Sequence, residues 1–569
     1  MPEWFNRIRT GQIRLPRFQR FEAWGHNEIS NLIEAVLNGL PAGSTLVLEL
    51  GSEEPFISRQ MIGSPDPVER PTEHLLDGQQ RLTALWRSFH DDYENRTYLL
   101  SLEPDEEHGG VRVPRMHSQA RWSRNGKRYP VWADDPVQVW GRGFIPLRLL
   151  RPGDIHQEIG RWCDSATTDD VVASRALERQ INALRESIAA YNIPFLALPS
   201  ETPRDVALNV FVKLNTTSVR LTAYDIIVAQ LEAATGQSLH DLIGEVHAAV
   251  PMVGAYIDAE DLVLDTAALR DDRAPTQASY FKLDLDRVVN EWSNIAAGIR
   301  WAISFLEDES VYDGRRLPTT AVLPILSALH PHVPEDSDEH GKARSLLRSY
   351  VWRSFLTSRY ENQAATRQLQ DLRGLRARLR GEDAPEAPIF NEDLFPLPTV
   401  EVFKRAGWPS TKEILARGIL AVSLRAGGRD IADDTPATRE QLPRREYHHL
   451  FPNSLLVNQG QVSEAESFRA LNCALITWKT NRDISAKEPV RYLRDRIDRG
   501  DLSEQDLANR LATHVIPYDQ LNVGGYSSFA DETERADHIR ADYGAFIDAR
   551  AELIAKATAE LCKGRRWPS

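Results

Sequence analysis

The sequence predicts a multi-domain α+β protein, and three observations support this fold class. The chain is 569 residues long, its N-terminal part alternates between helical and strand patterns, and its middle shows helical spacing of apolar residues almost throughout. One hydrophobic core stops growing well before this length, so about two to four domains are expected. We predict an α+β domain over 1–231, a helical scaffold over 232–440 and a second α+β domain over 441–569.

Composition narrows the class of protein. Hydrophobic residues make up 42% of the chain and charged residues 26%, as in a soluble globular protein. No apolar run reaches the roughly 18 residues that a membrane span requires, and the first residues lack the layout of a signal peptide. We therefore expect a cytoplasmic protein without a membrane partner. Three cysteines lie too far apart in sequence to suggest a zinc knuckle or a disulfide framework.

The net charge of −14 bears on nucleic-acid binding. Sequence-independent affinity for DNA comes from Lys and Arg side chains that neutralise phosphates. An acidic chain therefore has weak default affinity for DNA. If DNA is the substrate, we expect the contact surface to be a local basic patch.

The first segment of the chain shows a strand, a glycine and a helix in direct succession. Apolar residues over 29–37 follow helical spacing, and residues 44–50 predict a strand. Residues 74–77 predict a second short strand, after which Gly78 allows a sharp turn. A helix then begins at Gln79, with one apolar face formed by Leu82, Leu85, Trp86 and Phe89.

The remaining segments are less regular. Residues 91–152 are rich in Arg, Pro, Gly and Trp without clear periodicity, so we predict an irregular, loop-rich insertion. Residues 213–221 predict a tight loop between two helices, because Thr222 and Asp225 have the spacing of a capping box. A helix over 543–561 is predicted near the end of the chain.

The most chemically informative motif is Glu-Tyr-His-His-Leu-Phe-Pro-Asn over 446–453, which is followed by Asn472 and Asn481. Hydrolysis of a phosphodiester needs a base to activate water and a cation to stabilise negative charge. Histidine suits the base because it is largely neutral at pH 7. Side chains alternate across a strand, so His448 and His449 reach one cleft only where the chain bends.

This motif resembles the HNH, or ββα-metal, nucleases. The run from His448 to Pro452 matches the first block of that family, Asn472 begins the second block, and Asn481 matches the closing position. The resemblance implies that His449 is the general base and that His448 and Asn481 hold one Mg²⁺ or Mn²⁺. It also implies that Asn472 orients the base or pins the loop. A histidine replaces the usual acid at position 448, which shifts the expected preference toward Mn²⁺.

A plainer interpretation treats the two histidines as a structural doublet and the two asparagines as turn residues. Basic residues close to the motif favour phosphate contact, although Arg and Lys mixed with Asp also mark a solvated helix face. These residues are Lys479, Arg482, Lys487, Arg491 and Arg494.

Three polar motifs lie in the N-terminal part, over residues 15–20, 77–84 and 211–217. Gly78 allows the chain to turn into a helix N-terminus, where unpaired N–H groups favour an anion. Arg81, one turn further, can clamp a phosphate, and Asp77 can hold Mg²⁺ or a ribose hydroxyl. The plainer interpretation makes Asp77 a helix cap and leaves the following residues as surface.

Together these motifs resemble the ParB/sulfiredoxin-fold domain of the GmrSD family of modification-dependent restriction proteins, which carry an HNH-type domain behind connecting helices. The resemblance implies a site that binds and hydrolyses a nucleoside triphosphate, GTP or ATP, so that the protein would also be an NTPase. The residues of this site would be Asp77, Gly78, Gln79, Gln80 and Arg81, with Arg20 and Asn215 as contributors.

The sequence therefore predicts an NTP-dependent, modification-sensing DNA endonuclease or nickase of anti-phage defence. Its partners would be DNA and a nucleotide, and a homo-oligomer is left open. The chain is also similar to phosphorothioate-sensing defence nucleases, and the resemblance implies DNA that is either glucosylated or phosphorothioated, without specifying which. One alternative is an NTP-dependent DNA-binding or regulatory protein whose nuclease domain is inactive. Another is a constitutive repair or toxin nickase.

Overall fold

The chain folds as two compact units, Met1–His240 and Asp241–Ser569. The computed structural model describes residues 1–19, 22–52, 54–105, 111–214, 223–500 and 502–568. Helices predominate and small sheets accompany them, which confirms the predicted α+β class. Within these ranges no helix combines the length and the apolar character needed to cross a bilayer.

In the described part of the first unit, ten strands accompany the helices. In chain order these are α1 (Pro2–Thr10), β1 (Ile13–Pro16), α2 (His26–Leu37), β2 (Thr45–Glu49), β3 (Ser58–Arg59), β4 (Glu73–Asp77), α3 (Gln79–His90), β5 (Arg96–Asp105), β6 (Val111–Ala120), β7 (Trp122–Arg124), β8 (Lys127–Tyr129), α4 (Pro136–Gly141), β9 (Ile145–Pro146), α5 (His156–Ala166), α6 (Val171–Ala190), β10 (Phe195–Leu198), α7 (Arg204–Leu214) and α8 (Ala223–Thr235).

A five-stranded sheet, ordered β10-β2-β4-β1-β3, forms the centre of this unit. Strand β4 lies in the middle, antiparallel to β2 and parallel to β1. It runs directly into Gly78 and α3, so the predicted succession of strand, glycine and helix is confirmed. The predicted apolar face of α3 is buried, as are Leu75 and Leu76 of β4.

Gly78 is required at the turn between β4 and α3. Its φ is 96°, in the left-handed region that side chains with a Cβ rarely adopt. A Cβ at this position would also lie 2.4 Å from Cγ2 of Thr45. Both constraints exclude a side chain at this position, so the backbone of the turn is not covered by a Cβ at the start of α3.

The prediction of an irregular insertion over 91–152 was wrong. Strands β5 and β6 form a long antiparallel pair from Arg96↔Ala120 to Asp105↔Val111, and β9 pairs with the other edge of β5. Consecutive residues Tyr98, Leu99 and Leu100 are all buried, so β5 is covered on both faces and lacks the alternation of a half-exposed strand.

The second unit is mainly helical. The remaining elements are α9 (Leu239–Ala249), α10 (Val253–Tyr256), α11 (Ala259–Arg270), α12 (Gln277–Tyr280), α13 (Leu285–Asn290), α14 (Trp292–Asp308), α15 (Val322–Leu329), α16 (Ser337–Leu356), α17 (Ala364–Leu379), α18 (Val400–Arg405), α19 (Ile414–Arg425), β11 (Arg445–His449), α20 (Glu464–Ser467), β12 (Cys473–Thr477), α21 (Trp478–Ile484), α22 (Pro489–Gly500), α23 (Glu504–Ala512), α24 (Tyr518–Leu521) and α25 (Glu532–Cys562).

The long helix α25 holds the later elements of the second unit together and contains the helix predicted over 543–561. It packs against α16, α18 and α19. Its fully buried Arg550 donates hydrogen bonds to the carbonyls of Leu471 (2.6 Å) and Cys473 (2.9 Å), which ties α25 to the start of β12. The elements before and after residue 440 thus share one unit, and an independent domain over 441–569 stays a prediction.

Strands β11 and β12 form an antiparallel pair that leads into α21. The register places Arg445 opposite Thr477, His448 opposite Ala474 and His449 opposite Cys473. Helix α21 follows β12 without a break, so two strands and a helix lie in direct sequence around the predicted motif.

Asp430 fixes the direction in which α21 leaves β12. Its carboxylate is fully buried and accepts hydrogen bonds from the backbone N–H of Thr477 (2.7 Å) and the hydroxyl of Thr480 (2.6 Å). The N–H groups of Ala432 and Asp433 complete its shell. Burial raises the pKa of Asp430, but the hydrogen bonds from Thr480 and the three N–H groups outweigh it, so the pKa lies below its ordinary value.

Replacement of this carboxylate should loosen α21. We expect Asp430→Ala to destabilise the β12–α21 junction by about 3 kcal/mol, because buried donors lose their acceptor. Amide hydrogen exchange of peptides covering residues 473–484, measured by mass spectrometry on the full chain, should become about 100-fold faster. The depressed pKa means that the stabilisation is present above about pH 4, the ordinary value for Asp. It is lost as the pH falls through the folded-state value.

Asp498→Ala serves as the matched control, since Asp498 is an exposed aspartate of α22 in the same unit. Exchange in residues 473–484 should not change in that variant. Equal acceleration in both variants would show that Asp430 has no special part in holding α21.

Candidate functional site

The structure brings His448 of β11 and Asn481 of α21 into direct contact. Nδ1 of His448 lies 2.7 Å from Oδ1 of Asn481. An amide oxygen only accepts, so Nδ1 carries the proton in this contact and Nε2 does not. His448 is 4% exposed, and burial first of all lowers its pKa to about 4, against a smaller opposing effect of the Asn481 hydrogen bond. The imidazole is therefore neutral at pH 7.

Glu446 joins the same group, although the sequence-based assignment left it out. Nδ2 of Asn481 donates to Oε2 of Glu446 at 2.8 Å, which also fixes the orientation of the Asn481 amide. Glu446 and His448 are two residues apart in β11 and so share one face of the strand. That spacing was visible in the sequence and could have identified Glu446.

His449 points away from this network and lies among aromatic rings. Its ring stacks on Trp408 with centroids 4.1 Å apart and planes 18° apart. The edge of the Phe468 ring meets it at 4.6 Å and 84°. Burial lowers the pKa of His449 to about 4, so this imidazole is also neutral at pH 7. Trp408 lies between α18 and α19, far along the chain, and no local pattern would have revealed it.

The two histidines thus have different surroundings, as the alternation of side chains along a strand requires. Within the described ranges, no hydrogen bond or ring contact joins His449 to His448 or to Asn481. Nε2 of each histidine is buried and has no hydrogen-bond partner in the same part of the chain. The general-base role of His449 therefore stays a prediction.

Asn472 is fully occupied in the loop between β11 and β12. Its Oδ1 accepts from the N–H of Phe451 (2.8 Å), and its Nδ2 donates to the carbonyls of Phe451 and Ser467, both at 3.0 Å. These three contacts close the loop on itself. They correspond to the pinning role, one of the two roles that the resemblance implied for this residue.

The predicted basic surface is only partly free of internal partners. Lys479 and Arg482 are exposed on α21 beside Asn481, and the Arg482 guanidinium lies 5.0 Å from the centroid of the exposed Trp478 ring. Lys487 instead forms an ion pair with Asp495 at 2.6 Å. Exposed Arg491 and Arg494 of α22 add two further positive charges.

The second predicted site lies at the start of α3 in the first unit. Gly78 occupies the N-cap position, so the interpretation of Asp77 as the cap was wrong. Arg81 folds back: its Nη2 donates to Oδ2 of Asp77 at 3.0 Å and also to the carbonyl of Ser44. The guanidinium is thus held over the turn by two local acceptors.

The neighbouring glutamines support the turn. Gln79 is 8% exposed, and Oε1 of Gln80 accepts from the backbone N–H of Ala23 at 2.8 Å. Arg20 and Asn215, the two other predicted contributors, lie outside the described residues. The structure therefore places Asp77, Gly78 and Arg81 together at one helix start, with Gln80 bonded to the preceding loop.

The donor groups around His448 decide whether a metal ion could bind there. In the described ranges no cluster of three or more His, Cys, Asp or Glu could hold a metal ion. In the pair, Nδ1 of His448 and Oδ1 of Asn481 lie at hydrogen-bond distance, with Glu446 beside them. Nδ1 could bind a cation only in the tautomer that carries the ring proton on Nε2. This donor set fits a cation that keeps most of its coordinated water.

Parts of this chain are similar to known proteins. Residues 1–232 match the family model described as "GmrSD restriction endonuclease, N-terminal domain". An uncharacterized protein of Methanocaldococcus jannaschii is 22% identical, over 97% of this chain and 96% of its own length. The family match confirms the predicted resemblance over the N-terminal region, whereas the HNH resemblance stays a prediction. Residues 1–232 are thus similar to the N-terminal domain of GmrSD restriction endonucleases, which supports a defence enzyme acting on DNA.

Proposed function

We propose that this chain is a restriction-type DNA endonuclease whose active site is formed by residues of β11 and α21. A nucleotide bound at the start of α3 would control its activity. The observation that carries the proposal is the contact of His448 with Asn481 across a strand pair and its following helix. The similarity of residues 1–232 to a restriction endonuclease domain supports DNA as the substrate. One-metal hydrolysis is the chemistry that this arrangement suits.

In this proposal His448 and Asn481 hold one Mg²⁺ or Mn²⁺. When bound, the cation would stabilise negative charge on the phosphate and on the leaving oxygen. His448 contributes a neutral ring whose position is set by burial, and Asn481 contributes its amide oxygen. Asn472 keeps the loop between the two strands closed, so the spacing of the motif is maintained.

His449 is the proposed general base. Its imidazole is unprotonated at pH 7 because burial lowers its pKa to about 4. Stacking on Trp408 fixes the plane of the ring, which limits the directions from which water can be deprotonated. Exposed Lys479 and Arg482, on the helix that carries Asn481, are the proposed phosphate contacts.

The proposed nucleotide, GTP or ATP, binds at the start of α3. The N-terminus of this 12-residue helix, with Gly78 at its N-cap position, favours a phosphate through the helix dipole. Arg81 already pairs with the carboxylate of Asp77, and a phosphate would compete for the same guanidinium. Nucleotide binding would then release Asp77 to hold Mg²⁺ or a ribose hydroxyl.

Control by modified DNA follows from the charge of the chain. A net charge of −14 gives little affinity for unmodified host DNA, so recognition of a modification can supply the missing binding energy. Weak affinity for unmodified DNA favours a gated enzyme over a constitutive nickase.

One observation favours the second candidate, an NTP-dependent DNA-binding or regulatory protein without cutting activity. His449 is covered by Trp408 and Phe468, and its Nε2 is buried. A histidine enclosed in this way can be a packing residue. Nuclease assays distinguish the two candidates.

Removal of the proposed base should abolish cutting. We expect His449→Ala to lower the rate of plasmid nicking about 100- to 10,000-fold, since general-base catalysis contributes that much. The assay uses unmodified, phosphorothioated and glucosylated plasmid with Mg²⁺ or Mn²⁺, each with and without GTP and ATP. His538→Ala, at an exposed histidine of α25, is the matched control and should keep full activity. Undiminished cutting by His449→Ala would refute the base assignment.

The proposed nucleotide site can be tested independently of DNA cutting. Asp77→Ala and Arg81→Ala should each weaken binding of GTP or ATP about 10- to 100-fold, because each removes a charge-assisted contact. Isothermal titration calorimetry measures the affinity directly. Arg161→Ala, an exposed arginine of α5, should leave affinity unchanged. Normal nucleotide affinity in both site variants would place the nucleotide elsewhere or remove it from the mechanism.

Trp408 should control the proton affinity of His449. Burial lowers the pKa of His449 to about 4, so we expect Trp408→Ala to raise that pKa toward the ordinary value near 6.5. Exchange of the histidine C2 hydrogen, followed by mass spectrometry across pH 3–8, reports the pKa in both proteins, with His538 as internal control. A general base is lost as pH falls through its pKa, so acid inhibition of the variant should begin at higher pH. An unchanged pKa would exclude Trp408 as the cause of the shift.

A further inference from the structure

The pair of His448 and Asn481 carries no negative charge. A neutral imidazole and an amide oxygen are weak ligands for a hard dication, which prefers carboxylate oxygen. The HNH resemblance expects an acid at position 448, and this chain has histidine there. The site as proposed therefore lacks the anionic donor that would make Mg²⁺ or Mn²⁺ binding favourable.

A carboxylate lies beside the pair. Oε2 of Glu446 is 2.8 Å from Nδ2 of Asn481, whose Oδ1 is 2.7 Å from Nδ1 of His448. The three side chains form one continuous network across β11 and α21. In the strand register Glu446 lies opposite Ile476 and His448 opposite Ala474, so both project from the same face of β11.

Glu446 contributes little to the stability of the fold, so its position beside Asn481 has no structural explanation. Its side chain is exposed, and within the described ranges it forms no ion pair with a Lys or Arg. One hydrogen bond from an amide to an exposed acceptor adds little to folding stability. A glutamate side chain also has three rotatable bonds, so at the surface it can turn from Nδ2 of Asn481 toward a cation beside Oδ1.

We propose that Glu446 is the anionic ligand of the cation site and takes the part of the acid missing at position 448. This inference rests on the proposed function of His448 and Asn481. The cation would bind Nδ1 of His448, whose proton would move to Nε2, together with the amide oxygen of Asn481 and a carboxylate oxygen of Glu446. Water would fill its other positions. The carboxylate reaches the site from two residues earlier in the strand, which the alternation of β11 allows.

The test measures Mn²⁺ binding to the full chain by isothermal titration calorimetry and by electron paramagnetic resonance of free Mn²⁺. Glu446→Gln keeps an oxygen that accepts from Asn481 but removes the charge. We expect at least about tenfold weaker Mn²⁺ binding in Glu446→Gln, and a smaller loss in Glu446→Asp, which keeps a carboxylate. Glu464→Gln, at an exposed glutamate of α20, is the matched control and should bind as the unmodified protein does.

The variant His448→Ala distinguishes failure of the proposed cation site from failure of the proposed role of Glu446. If the unmodified protein binds no Mn²⁺ at this site, or if His448→Ala binds as well as it does, the proposed cation site fails and Glu446 fails with it. If His448→Ala loses binding while Glu446→Gln keeps it, the cation site stands and the role of Glu446 is overturned. Circular dichroism confirms that each variant is folded.

Discussion

The hydrogen bonds that Asp430 accepts at the junction of β12 and α21 are the constraint on which the candidate cation site depends. Its buried carboxylate holds the last N–H of the strand and the hydroxyl of Thr480 in the first turn of the helix. Asn481 is the next residue, and its amide reaches β11 only from the position that this junction sets. Displacement of a buried, fully bonded carboxylate costs several kcal/mol. The direction of Asn481 is therefore a property of the fold.

The alternation of β11 separates two chemical environments within one short strand. One face carries Glu446 and His448 and is polar, with the Asn481 amide bonded to both. The other face carries His449 among aromatic rings. A cation and a proton acceptor need such different surroundings, because charge favours the first and burial keeps the second neutral. Two adjacent histidines of identical chemistry can thus differ in role through the strand alone.

Local patterns account for the parts of the site that lie close together in sequence. The motif spacing identified His448 and Asn481 as a pair, and the succession of strand, Gly78 and helix was visible from apolar spacing. The sequence did not identify Trp408 and Asp430 as part of the site, because only tertiary packing brings them to the motif. Strand β5 was missed for another reason, because burial of Tyr98, Leu99 and Leu100 on both faces removes the alternating pattern by which strands are recognised.

The stacking of Trp408 on His449 limits where the part of the chain that carries the candidate site can be separated from the rest. A fragment that starts at residue 441, at the motif-based boundary, would lack both Trp408 and Asp430. In such a fragment His449 would lose the Trp408 ring that stacks on it. Helix α21 would lose the hydrogen bond from Thr480 to the carboxylate of Asp430. A shortened form of the second unit that keeps these contacts must therefore begin before Trp408 rather than at the motif itself.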